Sequence, residues 1–228
     1  MKSVTLSTPG KAYTYSISVG NGSIAQIYEL LELDRYSSIF VVTDKNVGIL
    51  WLDKLLSVLP KPTNSITLEP GEQSETLTNV EIIWKAMQAA GCDRKTIMLT
   101  LGGGVVGDMG GFAASTYMRG VAFAHIPTTT LAQIDSSVGG KTGINFGNTK
   151  NFIGTFAQPV GVLIDTDTLA TLPKREYLSG FAEMIKHGLN RDMKYHGILN
   201  DTGFQRAEEA VLKARSLSPD VVVFSGGR

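Results

Sequence analysis

The chain has 228 residues, and at roughly 150 residues per domain this length predicts one large domain or one and a half. Lysine plus arginine number 21 and aspartate plus glutamate 21, so the net charge is zero; a nucleic-acid binder carries a basic excess or stripe, and none is present overall. Hydrophobic residues make up 43%, enough with the abundant glycine to build a full core, and disorder, which needs low hydrophobicity and high net charge, is disfavoured.

Residues 12–19 (AYTYSISV) alternate and carry aromatic and β-branched types, the pattern of a strand. Gly20-Asn21-Gly22 reads as a turn, and Ser23 as the N-cap of a helix to about Leu33 with Ile24, Ile27, Leu30 and Leu31 on one stripe. Ile39 to Thr43 is a short apolar run, the signature of a strand buried on both faces. A helical pattern follows, with Val47, Leu50, Trp51 and Leu55, then a brief strand Ser65 to Leu68 that ends at Pro70-Gly71. A third helix is predicted from about Leu77 to Ala90, closed by Gly91. Thr96 to Leu101 is a strand running into Gly102-Gly103-Gly104, and a small-residue helix follows from about Val105 to Tyr117. Val121 to Ile126 and Val160 to Ile164 complete the strands, and a helical pattern returns from Lys174 to about Leu189. Strands alternating with helices of this length predict crossover units and a mainly parallel sheet, an α/β fold. Ligands then sit beyond the C-terminal strand ends, near a topological switch point. The loops of interest are those after Thr43, Leu68, Leu101 and Ile126.

Residues 98–140 hold three charged side chains, Asp108, Arg119 and Asp135, and nine glycines. At the whole-chain rate about eight charges belong in such a stretch, against a background already below the usual ~25%. A buried charge must be paired or liganded, so these three are candidates for function or for structural ion pairs. Gly102 to Gly107 (GGGVVG) matches G-x-G-x-x-G between a strand and a helix. Glycines let backbone amides approach a phosphate at a helix N-terminus, but the acidic partner ~20 residues on is missing, so the ordinary dinucleotide fingerprint is incomplete. A phosphate loop and a packing-driven glycine cluster both remain open.

VGGKT at 138–142 lacks the first glycine of a P-loop, since Asp135 stands there. GGKTGINFGNTKN presents Lys141, Lys150 and Asn151 in what reads as a polar loop, suited to an anionic, hydroxylated ligand. Glu183 and Lys186 lie three apart on one helix face, either a helical ion pair or a metal-ligating carboxylate beside a substrate-binding lysine. His125, His187 and His196 show no metal spacing, and His125 reads as a packed core histidine. Cys92 is the single cysteine, which excludes an internal disulfide and fits a reducing, cytoplasmic setting. MKSVTLSTPGK has no apolar h-region and no run reaches ~18 apolar residues, so neither a secretory signal nor a membrane partner is expected.

Taken together, Gly102–Asp108, TYMRG at 116–120, Pro127-Thr128-Thr129, QIDSSVGGKT at 133–142, KNFIGTF at 150–156, Gln158-Pro159 and GFAEMIK at 180–186 resemble the 3-dehydroquinate synthases, over roughly residues 12–190. The resemblance implies a Rossmann-like parallel-sheet domain over 1–172, followed from 173 to 228 by the start of an α-helical metal- and substrate-binding domain. It implies an NAD-dependent, zinc- or cobalt-requiring lyase of the shikimate pathway, converting 3-deoxy-arabino-heptulosonate 7-phosphate to 3-dehydroquinate with loss of phosphate, in the cytoplasm and as a homodimer. By the same resemblance NAD is surrounded by Asp44, Gly71, Glu72, Gln73, Gly103, Gly104, Val105, Val106, Gly107, Asp108, Thr128, Thr129, Lys141, Lys150, Thr168, Leu169, Ala170 and Thr171. Arg119, Asp135, Lys141, Asn151 and Lys186 contact the substrate or organise the site, and Glu183 is a metal ligand.

Two departures stand out. The family has lysine three residues after the glutamate of its PGE motif, and here PGEQSE places Glu75 there, an acid expected to repel a dinucleotide phosphate. After Leu189 nothing matches the GHTxGHA-like segment whose histidines complete the family's zinc site. The expectation is therefore a truncated second lobe with an incomplete metal site. A non-catalytic NAD-binding fragment and a polyol dehydrogenase of the same fold are the alternatives.

Overall fold

The computed structural model describes residues 2–7, 14–60 and 63–181. Its centre is a seven-stranded sheet in the order β1-β2-β9-β6-β5-β3-β4. These strands are β1 (Lys2–Ser7), β2 (Thr14–Gly20), β3 (Ile39–Asp44), β4 (Thr63–Leu68), β5 (Ile97–Gly102), β6 (Ala122–Pro127) and β9 (Gly161–Asp165). All neighbours pair in parallel except the edge strand β1, which is antiparallel to β2. A separate antiparallel hairpin joins β7 (Lys141–Phe146) to β8 (Thr149–Phe156).

The apolar runs form central strands because both sheet faces are covered. Along β3, Phe40 and Val42 join one core while Ile39 and Val41 join the other; along β5, Met98 faces the first core and Ile97, Leu99 and Leu101 the second. The first core lies under α4 (Leu77–Ala89) and α5 (Gly104–Thr116). The second is covered by α1 (Ile27–Leu30), the run formed by α2 (Lys45–Val47), a π-helical segment (Gly48–Leu52) and α3 (Asp53–Val58), and the turns beside them. In α4, Val80, Ile83 and Met87 are fully buried on one stripe. Thr76 caps its start by accepting from the Asn79 amide at 3.3 Å, and Gly91, at φ 71°, turns the chain just beyond its end.

The small residues of α5 have a steric reason. A Cβ on Gly110 would stand 2.5 Å from Thr100 Cγ2 on β5, and one on Gly111 would stand 2.5 Å from Thr142 Cγ2 on β7. The helix therefore lies down on the sheet and the hairpin with backbone in the interface.

Three expectations change. Ser23 does not cap a helix: its hydroxyl donates to the carbonyls of Gly20 (3.1 Å) and Ile164 (3.0 Å). Here a 3-10 turn (Ser23–Gln26) leads into α1, and the fully buried Asp165 carboxylate accepts from the amides of Gly22 and Ile24, both at 3.0 Å. The segment read as a polar loop is the β7-β8 hairpin, with Gly147 at φ 58° in its turn. The edge strand β1 pairs with β2 along a segment where no strand was expected. After Pro173 the helix of residues 174–181 begins as expected, and Gly180 packs so closely on Thr130 that a Cβ would stand 2.5 Å from Thr130 Cβ.

Candidate active site

From β3 the chain moves outward to β4, and from β5 it moves the other way to β6, so the order reverses between β3 and β5. The loops after β3 and β5 flank a topological switch point, where an α/β sheet opens a crevice for ligand. β5 ends at Gly102 and α5 starts at Gly104, with Gly103 between them in extended conformation (φ −78°, ψ −167°). The first amides of α5 have no partner within the helix, and its dipole favours negative charge there. A Cβ on Gly103 would stand 2.9 Å from Thr129 Cγ2, and one on Gly104 3.3 Å from Ser136 Oγ. Beside this cradle the Thr128 amide donates to Gly102 O at 2.9 Å. The Thr128 hydroxyl, in a residue only 4% exposed, has no hydrogen-bond partner among the described residues. A crevice with uncovered helix amides and an orphaned buried hydroxyl fits the phosphates of a dinucleotide.

Below the cradle lies an acidic group. Asp108 sits one turn into α5, Glu75 follows the turn Glu72–Ser74 after β4, and Asp135 belongs to a π-helical turn (Ala132–Ser136). Burial, with Glu75 and Asp135 nearby, raises the Asp108 carboxyl to about 8 against the pull of Lys141. Burial, with Glu72 nearby, raises Glu75 to about 7 against the pull of Lys150. The hairpin closes over Glu75: the Asn145 amide donates to Glu75 O at 3.0 Å, and Asn145 Nδ2 approaches Glu75 Oε2 at 3.4 Å. Asn145 Oδ1 in turn accepts from the backbone of Asn151, whose φ of 50° is left-handed. Lys150 Nζ donates to Glu72 Oε2 at 2.7 Å in an exposed pair.

The family model for the N-terminal part of 3-dehydroquinate synthase matches residues 65–179. The chain belongs to the 3-dehydroquinate synthase family. It is 47% identical over 191 residues to the 3-dehydroquinate synthase of Acidithiobacillus ferrooxidans, covering 82% of this chain and 52% of that one. It is 41% identical over 231 residues to that of Halalkalibacterium halodurans, covering 97% of this chain and 63% of the relative, so the likeness runs past residue 190, where the motifs stop. The chain thus spans about half to two-thirds of the length of these curated relatives. Among solved structures it resembles 2-epi-5-epi-valiolone synthase from Streptomyces hygroscopicus subsp. jinggangensis 5008, solved with NAD+ and Zn2+ bound, with TM-score 0.78 and 29% identity over 95% of this chain and 61% of that one.

Most of the residues expected from the synthase motifs gather at one edge of the sheet. Asp44, Gly71 to Gln73, Gly103 to Asp108, Thr128 and Thr129 all lie in or just after the C-terminal ends of β3, β4, β5 and β6. Lys141, Lys150 and Asn151 come from the hairpin beside them, and Asp135 from the turn after β6. The Asp44 carboxylate accepts from the amides of Asn46 (2.8 Å) and Val47 (3.0 Å) and remains partly exposed.

Other expected residues stand apart from this crevice. Arg119 is exposed beyond the far end of α5, with φ 72°. A helix of 13 residues rising ~1.5 Å each puts it about 20 Å from the glycine loop, so one chain does not bring it there. Thr168 and Leu169 turn into the core: Thr168 Oγ1 accepts from Gln133 Nε2 at 2.9 Å and donates to Asp165 O at 2.7 Å. Thr171 Oγ1 accepts from Trp51 Nε1 at 2.9 Å, which leaves Ala170 as the exposed apolar member of that turn.

His125 is the packed histidine expected, 4% exposed, with Nδ1 2.7 Å from Thr100 Oγ1 and burial lowering its pKa to about 4. Sequence reasoning missed Gln133, whose buried Nε2 also reaches Pro127 O and Asp165 O and so ties the ends of β6 and β9 together. It missed Asn145 too, which lies in the segment read as a polar loop. Glu183 and Lys186 lie outside the described residues, among which no group of three or more His, Cys, Asp or Glu could hold a metal. No described helix is long and apolar enough to cross a membrane.

Proposed function

We propose that this chain carries the dinucleotide- and substrate-binding site of a 3-dehydroquinate synthase, an NAD-dependent, metal-assisted lyase acting on 3-deoxy-arabino-heptulosonate 7-phosphate to give 3-dehydroquinate and phosphate. The observation that carries the reading is the uncovered N-terminus of α5 at the β3/β5 switch point, beside the unpartnered Thr128 hydroxyl. The backbone from Gly103 to Val106 would hold the pyrophosphate, and Thr128 would donate to it. Asp44, on the opposite lip, would accept from ribose hydroxyls. NAD, when bound, supplies the transient oxidation of a ring hydroxyl that makes the neighbouring proton acidic enough for phosphate to leave.

Lys141 and Lys150 would bind the substrate's anionic groups, with Asn151 and Asp135 fixing its hydroxyls. Lys186 would contact substrate, Glu183 would ligate zinc or cobalt, and Arg119 would act from the partner edge of a homodimer. The single cysteine, buried and free, suits a cytoplasmic enzyme.

The test is inorganic phosphate released from 3-deoxy-arabino-heptulosonate 7-phosphate by the 228-residue chain with NAD and zinc, against a control without NAD. NAD-dependent release is expected. NAD binding by folded protein without release would leave a dinucleotide-binding domain and refute the lyase reading for this chain.

A further inference from the structure

We propose that the site takes up a proton on Glu75 and Asp108 when the dinucleotide binds, so that Glu75 sets the pH dependence of cofactor affinity. This rests on the dinucleotide reading above and goes beyond it. Glu75 is 5% exposed, and its carboxyl lies between α5 and the hairpin. One oxygen has only the long 3.4 Å approach of Asn145, and Oε1 has no hydrogen-bond partner among the described residues. A buried ionised carboxylate with so little support is far more costly than a protonated one.

Among the described residues, the charges that act on Glu75 are Glu72 from its own turn and Lys150 from β8, and those that act on Asp108 of α5 are Glu75 itself, Asp135 from the π-helical turn and Lys141 from β7. Lys150 and Glu72 balance each other as a pair. With Glu75, Asp108 and Asp135 all ionised, Lys141 offsets one of them and these described groups carry two net negative charges. The pyrophosphate of a dinucleotide carries two more. Placed on the α5 N-terminus, it stands about one helical turn, ~5.4 Å of rise, above Asp108.

Like charges at such separations in a partly desolvated crevice repel strongly. Proton uptake by the two carboxyls that burial has already raised, Glu75 to about 7 and Asp108 to about 8, relieves that repulsion at small cost near neutrality. The anion raises both further, so the complex holds more protons than the free protein and affinity falls as pH rises. One fully coupled proton changes the dissociation constant about tenfold per pH unit.

The experiment is NADH titration of the whole chain between about pH 6.5 and 9, by nucleotide fluorescence, with calorimetry in buffers of different ionisation enthalpy to count protons. Expected is uptake of roughly half a proton or more per NADH near pH 8 and a Kd that rises about tenfold or more across the range. In Glu75→Gln, which keeps the shape of the protonated acid, the uptake should fall by at least half, the Kd should flatten with pH, and binding above pH ~8 should be tighter than in the parent. Asp108→Asn should also reduce uptake. A pH-independent Kd in the parent, or undiminished uptake in Glu75→Gln, overturns the coupling and leaves dinucleotide binding standing. Absence of NADH binding at every pH by folded protein overturns the dinucleotide reading and the coupling with it.

Discussion

Glu75 illustrates how a single side chain can differ in effect from its formal charge. Read as a letter, it is an acid placed where a dinucleotide phosphate is expected. In the fold it is buried, and burial with Glu72 raises its carboxyl to about 7 against Lys150. A raised carboxyl also lowers stability as pH rises. The folded chain keeps the proton through the range from the unfolded value near 4.5 to about 7. The unfolded chain binds fewer protons across that window, so the folded state loses stability within it. Asp108, raised from 3.8 to about 8, acts in the same direction. Glu75→Gln should therefore unfold like the parent near pH 4 and be the more stable protein at pH 8, by on the order of 2 kcal/mol in urea unfolding. A gap that does not widen with pH would contradict this burial.

His125 was legible at the same scale, because a lone histidine in an apolar strand has few roles other than packing. Glu75 was not, because its state depends on the hairpin that closes over it.

At the scale of elements, helix α5 tests how much of its glycine content is packing. Helix propensity alone favours Gly110→Ala by about 1 kcal/mol. The new Cβ, however, would stand 2.5 Å from Thr100 Cγ2, on a β-branched side chain tied to His125 by a 2.7 Å hydrogen bond. Overpacking of this kind costs about 1–3 kcal/mol, and the expected net result is a lower urea midpoint with an unchanged slope. A raised midpoint would mean that Thr100 yields and that the glycine is not required by the contact.

The central strands were legible because each is a short apolar run buried on both faces. The β7-β8 hairpin was not, because its buried positions, Thr142, Gly143 and Ile144, follow one another instead of alternating, while its exposed ones mix Lys141, Lys150 and Asn151 with Phe146, Phe152 and Phe156. Its one local mark was Gly147-Asn148, a two-residue connection of the kind that joins antiparallel strands. Ser23 misled because a serine before an apolar stripe is the ordinary cap signal. Here the capping acceptor arrives from Asp165, far along the chain on β9.

At the scale of the whole molecule, alternating strands and helices were enough to predict a parallel sheet and to place its ligand loops at the strand ends. The strand order, and with it the switch point between β3 and β5, came only from the fold. That order gathers Asp44, the glycine loop and Thr128 at one crevice and leaves Arg119 beyond the far end of α5, which motif order along the sequence could not convey.

The central claim is that the α5 N-terminus is the pyrophosphate cradle. The most direct measurement is the backbone amide NMR spectrum of the 15N-labelled chain as NAD+ is added. The largest shifts should fall on Gly103 to Val106, with smaller ones at Asp44 and Thr128. Shifts confined to other surfaces, or none at saturating NAD+ from a folded chain, would contradict the account.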